Sequence, residues 1–145
     1  FGGALKQLSI GCASSAGKAY SHGAGGPEKS WTGDHDSFLE SMADAAEAVV
    51  RHFNGNMVFI NVMKNMSVDC DCAGLSAAEP TIPDIGILAS TDILAIDQAS
   101  VDLVYAKESN HDLVERMESR HGLHQLTAMR ELKMGNDKYE LIELD

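Results

Sequence analysis

Two short apolar runs constrain the fold of this chain more than any other feature of its 145 residues. Residues 57–63 are almost continuously apolar, and residues 84–90 form a second run of similar length. Such runs are typical of strands that are buried on both faces of a parallel sheet. Each run lies beside a segment with helical periodicity. The alternation therefore predicts an α/β fold with a largely parallel sheet flanked by helices.

The segments beside these runs are predicted to form helices, because their apolar residues recur every three or four positions. Asp34 or Asp36 is expected to cap the first long helix, and residues 54–56 to end it. Thr91 or Asp92 is expected to cap the next. The predicted elements are a short helix within residues 3–10, a loop at 11–34, helices at 37–52, 91–107, 111–121 and 124–134, and strands at 57–63, 84–90 and 139–144.

The predicted sheet is small, and this suggests that part of it is missing. The chain opens on Phe1-Gly2-Gly3 without a methionine, as the middle of a longer protein would. We therefore expect one domain over residues 1–145 that is an incomplete, C-terminal part of a larger α/β domain. Exposed sheet edges and apolar faces then predict either a homo-oligomer or a missing N-terminal half that covers them.

Charge and cysteine content narrow the function classes. The formal net charge of −11 argues against binding to nucleic acid or to an anionic membrane surface. The longest apolar runs fall short of the roughly 18 residues that a membrane-spanning helix needs. Three cysteines are an odd set and do not suggest a disulfide framework. The sequence is typical of a protein of the reducing cytoplasm.

The stretch Asp69-Cys70-Asp71-Cys72 is the strongest candidate for chemistry. In an extended segment the two cysteine side chains project to the same side, where both thiolates can bind one ion. Cys12 and His22 would complete a four-ligand set for zinc or iron. The aspartates should make the thiols harder to deprotonate unless a cation is present. The alternative is that the cysteines bind nothing and act as small hydrophobic residues.

Two further polar residues are candidates for cofactor or substrate binding. Lys18 ends the segment Ser15-Ala16-Gly17-Lys18, which resembles part of a phosphate-binding loop but lacks the full pattern. Asp97 lies in an apolar stretch, so it is expected to be paired or to point into a site. An enzyme with a small-molecule site beside the cysteine loop, using Lys18, Asp97 and His22, is therefore an alternative function. A metal-free interaction or scaffold domain is another.

Two blocks of the chain carry a family resemblance. They are Phe1–Lys6, Gly11–Lys18 and His22 in the first, and Asp69–Cys72, Pro83–Asp92 and Ala95–Ala99 in the second. Both resemble the domain-of-unknown-function 362 family, often labelled uncharacterised Fe–S centre proteins. The resemblance implies an α/β domain, and this chain corresponds to the C-terminal half of that domain. It also implies a redox-linked role and a possible redox partner protein.

This chain departs from the family pattern in two places. Many members carry a cysteine-rich cluster motif between the positions of His22 and the helix predicted at 37–52, and this chain has no cysteine there. A ferredoxin-type cluster needs four cysteines, so that module is absent, and an Fe–S cluster of another type stays an alternative to a zinc or iron ion. Isoleucine stands at position 93, where the family often has proline. The positions of Cys12, His22, Cys70 and Cys72 match the family pattern.

Overall fold

The computed structural model describes residues 1–23 and 34–144, and for Asp71 and Cys72 it describes only the backbone. In these residues helices predominate, and the sheet has two antiparallel strands. The predicted fold class, α/β with a largely parallel sheet, is therefore wrong. The described elements are α1 (Ala4–Lys6) running into a π-helical turn (Gln7–Gly11), α2 (Ser15–His22), α3 (His35–Phe53), β1 (Phe59–Met63), a 3₁₀ helix (Asp71–Ser76), β2 (Gly86–Ser90), α4 (Ile93–Tyr105), α5 (His111–Ser119) and α6 (His124–Glu131).

The two strands are antiparallel because of the segment that joins them. Residues 64–85 hold a loop with one 3₁₀ helix and no helix that crosses the sheet. Parallel neighbours need such a crossover, usually an α-helix, whereas a chain that turns back pairs antiparallel. Val62 pairs with Ile87 and Ile60 with Ala89. Burial alternates along β1, so one face of the sheet packs on helices and the other is exposed.

Local capping fixes the long helices close to where the sequence predicts them. The Asp34 side chain accepts a hydrogen bond from the Ser37 backbone N–H and caps α3. Asn54, in the left-handed conformation, ends that helix. Asp92 accepts hydrogen bonds from the backbone N–H groups of Leu94 and Ala95 and caps α4. A side-chain acceptor at this position satisfies N–H groups that have no partner within the helix.

Two local predictions are wrong: the loop expected at 11–34 and the strand expected at 139–144. Part of the loop expected at 11–34 is helix α2, and residues 24–33 are outside the described part. The strand expected at 139–144 forms no strand pairing among the described residues. Leu141, Ile142 and Leu144 in that segment are exposed. An alternating pattern indicates a strand only where a neighbouring strand is available to pair with it.

Helix α4 lies at the centre of the core. It packs against both strands, α1, α5 and α6, while α3 packs against α1, α2 and α6. Leu94 in α4 and Met129 in α6 are almost completely buried. The buried apolar cluster comprises Ala4, Leu5, Ala43, Ala46, Phe59, Met63, Ile82, Ile93, Leu94, Ile96, Val101, Val104, Met117, Leu126, Ala128, Met129 and Met134.

Candidate functional site

The cysteine loop leaves the end of β1 and is held in shape by Asp69. One Asp69 carboxylate oxygen lies 2.8 Å from the Arg116 guanidinium in α5, and the other accepts a hydrogen bond from the Ala78 backbone N–H at 2.9 Å. The Ser67 hydroxyl donates to the Ala78 carbonyl oxygen at 2.8 Å. Asp69 therefore closes the loop that carries Cys70, and its negative charge is partly compensated by Arg116.

Cys70 is exposed and lies beside a lysine from the N-terminal helix. The Lys6 ammonium is 3.3 Å from the Cys70 sulfur. An ammonium group at this distance favours the thiolate form of a cysteine, which is the form that binds metals and reacts as a nucleophile. The residues that flank Cys70 in the sequence are aspartates, and nothing near it indicates this lysine, which is 64 positions away.

Cys12 follows the π-helical turn and is also exposed. The Gln7 side-chain amide lies 3.8 Å from the Cys12 sulfur. Lys6 and Gln7 are consecutive, so one short helical segment contacts both the loop cysteine and the N-terminal cysteine. π-helical turns are rare in proteins, and those that occur are often found at functional sites.

His22 lies at the end of α2, and its ring orientation is fixed. Its Nδ1 is 2.7 Å from the Lys18 carbonyl oxygen. A carbonyl oxygen can only accept, so Nδ1 carries the proton, and in the neutral ring Nε2 then holds the lone pair. The ring also stacks on Phe38 in α3, with 5.0 Å between centroids. Histidine ligands of metals are commonly held by this kind of backbone hydrogen bond.

The described side chains do not by themselves form a metal centre. Among them, no three of the His, Cys, Asp and Glu side chains lie close enough together to hold one ion. The side chain of Cys72, the second member of the Cys-x-Cys pair, is outside the described part of the structure. The predicted set of Cys12, His22, Cys70 and Cys72 therefore stays a prediction.

Asp97 is completely buried and is bound on three sides. Its carboxylate accepts hydrogen bonds from the backbone N–H groups of Ala4 at 2.7 Å and Leu5 at 3.0 Å, and from the Asn61 amide at 3.0 Å. It thus caps α1 from a distant part of the chain. Gly3 stands beside it with φ of 105°, and a Cβ there would lie 2.6 Å from an Asp97 oxygen. Lys18 is exposed on α2, so these two predicted cofactor-binding residues do not share an exposed surface.

The buried position of Asp97 predicts a pH-dependent contribution to stability. Burial raises the pKa of the Asp97 carboxyl above its ordinary value of 3.8, and the hydrogen bonds from Asn61, Leu5 and Ala4 act in the opposite direction. Between 3.8 and the raised value, the folded state binds more protons than the unfolded state. The stabilisation that this group gives is therefore present below pH 3.8 and is lost as pH rises through the raised pKa.

We expect the free energy of unfolding of the wild type to fall relative to that of Asp97→Asn as pH rises above 3.8, because asparagine cannot titrate. Urea unfolding of both proteins at several pH values measures the difference. Asp102→Asn, an exposed position on the same helix, is the control. Parallel pH profiles for the wild type and Asp97→Asn would contradict the assignment.

A group of histidines and carboxylates lies where α3 meets the α5–α6 turn. His121 Nδ1 is 3.0 Å from the Asp36 carboxylate, and His124 Nε2 is 2.9 Å from the Glu40 carboxylate. His121 and His124 line a shallow cavity of about 400 Å³. This group was not predicted from the sequence. The only signal for it in the sequence is spacing. Asp36 and Glu40 are about one helical turn apart, and so are His121 and His124.

Comparison with known families agrees with the resemblance seen in the sequence. The family described as Domain of unknown function (DUF362) matches residues 1–102. The chain belongs to this family. No similarity to a curated protein or to a solved structure was detected. Within residues 1–23 and 34–144, none of the helices has the length and apolar character that crossing a membrane requires.

Proposed function

We propose that this chain binds one zinc or iron ion through Cys70 and Cys72, with Cys12 and His22 as the further ligands. The donor set suits such an ion, because three thiolates and one imidazole make a common tetrahedral set. It does not suit a ferredoxin-type cluster held by this chain alone, which needs four cysteines where the chain has three. Reduced thiols of this kind belong to a reducing compartment.

The observation that carries the proposal is that Lys6 and Gln7 contact the sulfurs of Cys70 and Cys12. These two cysteines are 58 positions apart by number, yet both meet the same helical segment. Cys72 follows Cys70 by two residues in a surface loop.

Two contacts support the chemistry of the individual ligands. Lys6 favours the thiolate of Cys70 before an ion arrives. The Lys18 carbonyl holds the tautomer of His22 in which Nε2 can donate to a metal. The redox-linked role that the family resemblance implies would follow if the ion is iron, since zinc does not change its oxidation state.

Metal content and metal affinity test the proposal. We expect protein purified without an affinity tag to contain close to one equivalent of zinc or iron by elemental analysis. Cys70→Ser should lower the zinc affinity by about 100-fold or more, because a serine hydroxyl stays protonated at neutral pH. His22→Gln should weaken binding, whereas His52→Gln at the exposed end of α3 is the matched control.

Two results would contradict the proposal. One is a metal-free protein that shows no saturable zinc binding at micromolar concentration. The other is an equal loss of affinity in His22→Gln and His52→Gln, since the loss would then not depend on the proposed ligand. Circular dichroism of each variant separates a lost ligand from a lost fold.

A further inference from the structure

The contact between Lys6 and Cys70 brings together an amine and a thiol that are 64 positions apart in the sequence. The Lys6 nitrogen lies 3.3 Å from the Cys70 sulfur, which is close enough for the ammonium group to donate a hydrogen bond to the sulfur. The Cys70 side chain is exposed, so small oxidants in the solvent can reach it. Cysteines that combine thiolate character with exposure are those that oxidise most readily. The contact therefore places a second reactive group, the lysine nitrogen, beside an oxidisable sulfur.

The backbone on each side of this contact is held by the fold. Leu5, the residue before Lys6, is fully buried, and its backbone N–H donates to the Asp97 carboxylate. Asp69, the residue before Cys70, accepts a hydrogen bond from a backbone N–H across the loop, and it lies 2.8 Å from a guanidinium group of α5. Neither anchoring contact has to break for the two side chains to come together, because the lysine stem is flexible. The fold thus keeps the amine and the sulfur within reach of each other.

We infer that Lys6 and Cys70 form a covalent cross-link when a hydroperoxide oxidises Cys70, with a bond between the lysine nitrogen and the cysteine sulfur. The Cys70 thiolate attacks one peroxide oxygen, the oxygen–oxygen bond breaks, and Cys70 becomes a sulfenic acid. The hydroxide that leaves takes a proton from the Lys6 ammonium group and departs as water. The ion pair thus becomes a sulfenic acid beside a neutral amine.

The neutral amine then attacks the oxidised sulfur. The nitrogen–sulfur bond forms as the sulfur–oxygen bond breaks, and the hydroxyl group leaves with one amine proton as a second water molecule. Sulfenic acids condense with backbone nitrogen in the same way. Starting from the ion pair, one molecule of hydrogen peroxide is reduced to two of water, and the thiolate is oxidised by two electrons. Two equivalents of an added thiol reverse the cross-link, giving a disulfide and the original side chains.

The cross-link gives the proposed metal site a redox control, and this consequence rests on the proposed function. A sulfur bonded to nitrogen has no thiolate charge, so Cys70 is lost from the ligand set once the bond forms. A zinc ion bound to Cys70 occupies the same sulfur and protects it from the peroxide. Cross-linking and metal binding therefore exclude each other at this residue.

Peptide mapping by mass spectrometry of the complete chain, after treatment with hydrogen peroxide and removal of the excess, tests the inference. We expect a pair of peptides joined through Lys6 and Cys70, lighter than their sum by two hydrogen atoms and lost on treatment with dithiothreitol. Lys6→Arg should abolish this species, because the guanidinium keeps its charge and does not give up a proton to become a nucleophile. Lys64→Arg is the matched control, since the Lys64 side chain is 53% exposed at the start of the cysteine loop and pairs with Asp84.

The rate at which iodoacetamide alkylates Cys70 separates the two roles of Lys6. Lys6→Arg should leave that rate within about twofold of the wild-type rate, whereas Lys6→Met, which removes the positive charge, should lower it several-fold. Loss of the cross-link in Lys6→Arg with unchanged alkylation assigns the lysine nitrogen itself to the reaction.

Each outcome decides the inference. Oxidation of Cys70 to a disulfide or a sulfinic acid without a Lys6 cross-link would overturn it, as would a cross-link that forms equally in Lys6→Arg. Added zinc tests the metal site separately. Suppression of the cross-link by zinc supports both proposals, whereas a cross-link that zinc does not suppress retains this inference and contradicts metal binding at Cys70. If Lys6→Arg fails to fold by circular dichroism, Cys70→Ser makes the same test from the other side of the contact.

Discussion

Replacing Asp97 by alanine is expected to lower the free energy of unfolding by about 3–5 kcal/mol. The Asp97 carboxylate is the acceptor for the backbone N–H groups of Ala4 and Leu5 and for the Asn61 amide. The substitution would leave these donors in a buried environment without their acceptor. Each unsatisfied buried donor costs about 1–3 kcal/mol, so the effect exceeds that of an ordinary truncation.

Asp102→Ala is the matched control for Asp97→Ala. Asp102 lies on the same helix, but it is exposed, and water can replace its hydrogen bonds to Gln98 and Tyr139. We expect Asp102→Ala to cost about 1 kcal/mol or less. Urea denaturation at neutral pH measures both variants. A cost for Asp97→Ala that matches the cost for Asp102→Ala would show that the carboxylate does not hold the N-terminal helix in solution.

Replacing Gln125 by methionine is expected to raise the free energy of unfolding by about 2–4 kcal/mol. Gln125 in α6 is completely buried, and neither its amide nitrogen nor its amide oxygen has a hydrogen-bond partner within the described structure. A buried polar group without a partner loses its hydrogen bonds to water and gains no hydrogen bond within the protein to replace them. Methionine has nearly the same length and shape, so the change removes this cost while leaving little cavity.

Gln98→Met provides the comparison for Gln125→Met. The Gln98 side chain is partly exposed, donates to Asp102 and accepts from Arg130, so its removal should be neutral or slightly destabilising. Thermal unfolding followed by circular dichroism ranks the three proteins. If Gln125→Met is less stable than the wild type, the amide is paired in solution, for example with an internal water molecule, and the prediction fails.

The helices could be predicted from the sequence because their signals are local. The apolar spacing in α3 and α4 and their capping residues Asp34 and Asp92 all lie within a few positions of each helix. The direction of the strands could not be read in the same way. A continuous apolar run indicates that both faces of a strand are to be covered, and it does not say by what. The connection at 64–85, which makes the pairing antiparallel, contains no crossover helix.

Contacts between distant parts of the chain account for most of what the sequence did not predict at the candidate site. The position of Asp97 in an apolar stretch predicted that it is either paired or points into a site, yet nothing near it in sequence indicated that its partners are Ala4 and Leu5. Lys6 likewise meets Cys70 only through the fold. Residue spacing identified which side chains could do chemistry, whereas their neighbours depend on long-range packing.

The contact between Asp97 and the N-terminal helix has a consequence for how the chain folds during synthesis. Ala4 is made 93 positions before the carboxylate that binds its N–H group. At about 5–20 residues per second, the ribosome needs roughly 5–20 s to make the intervening chain. Over that interval Leu5, which is fully buried in the finished protein, lacks the part of its core that α4 supplies. This segment therefore completes its docking only after α4 has been made, and we expect chaperones to bind it on the nascent chain during that interval.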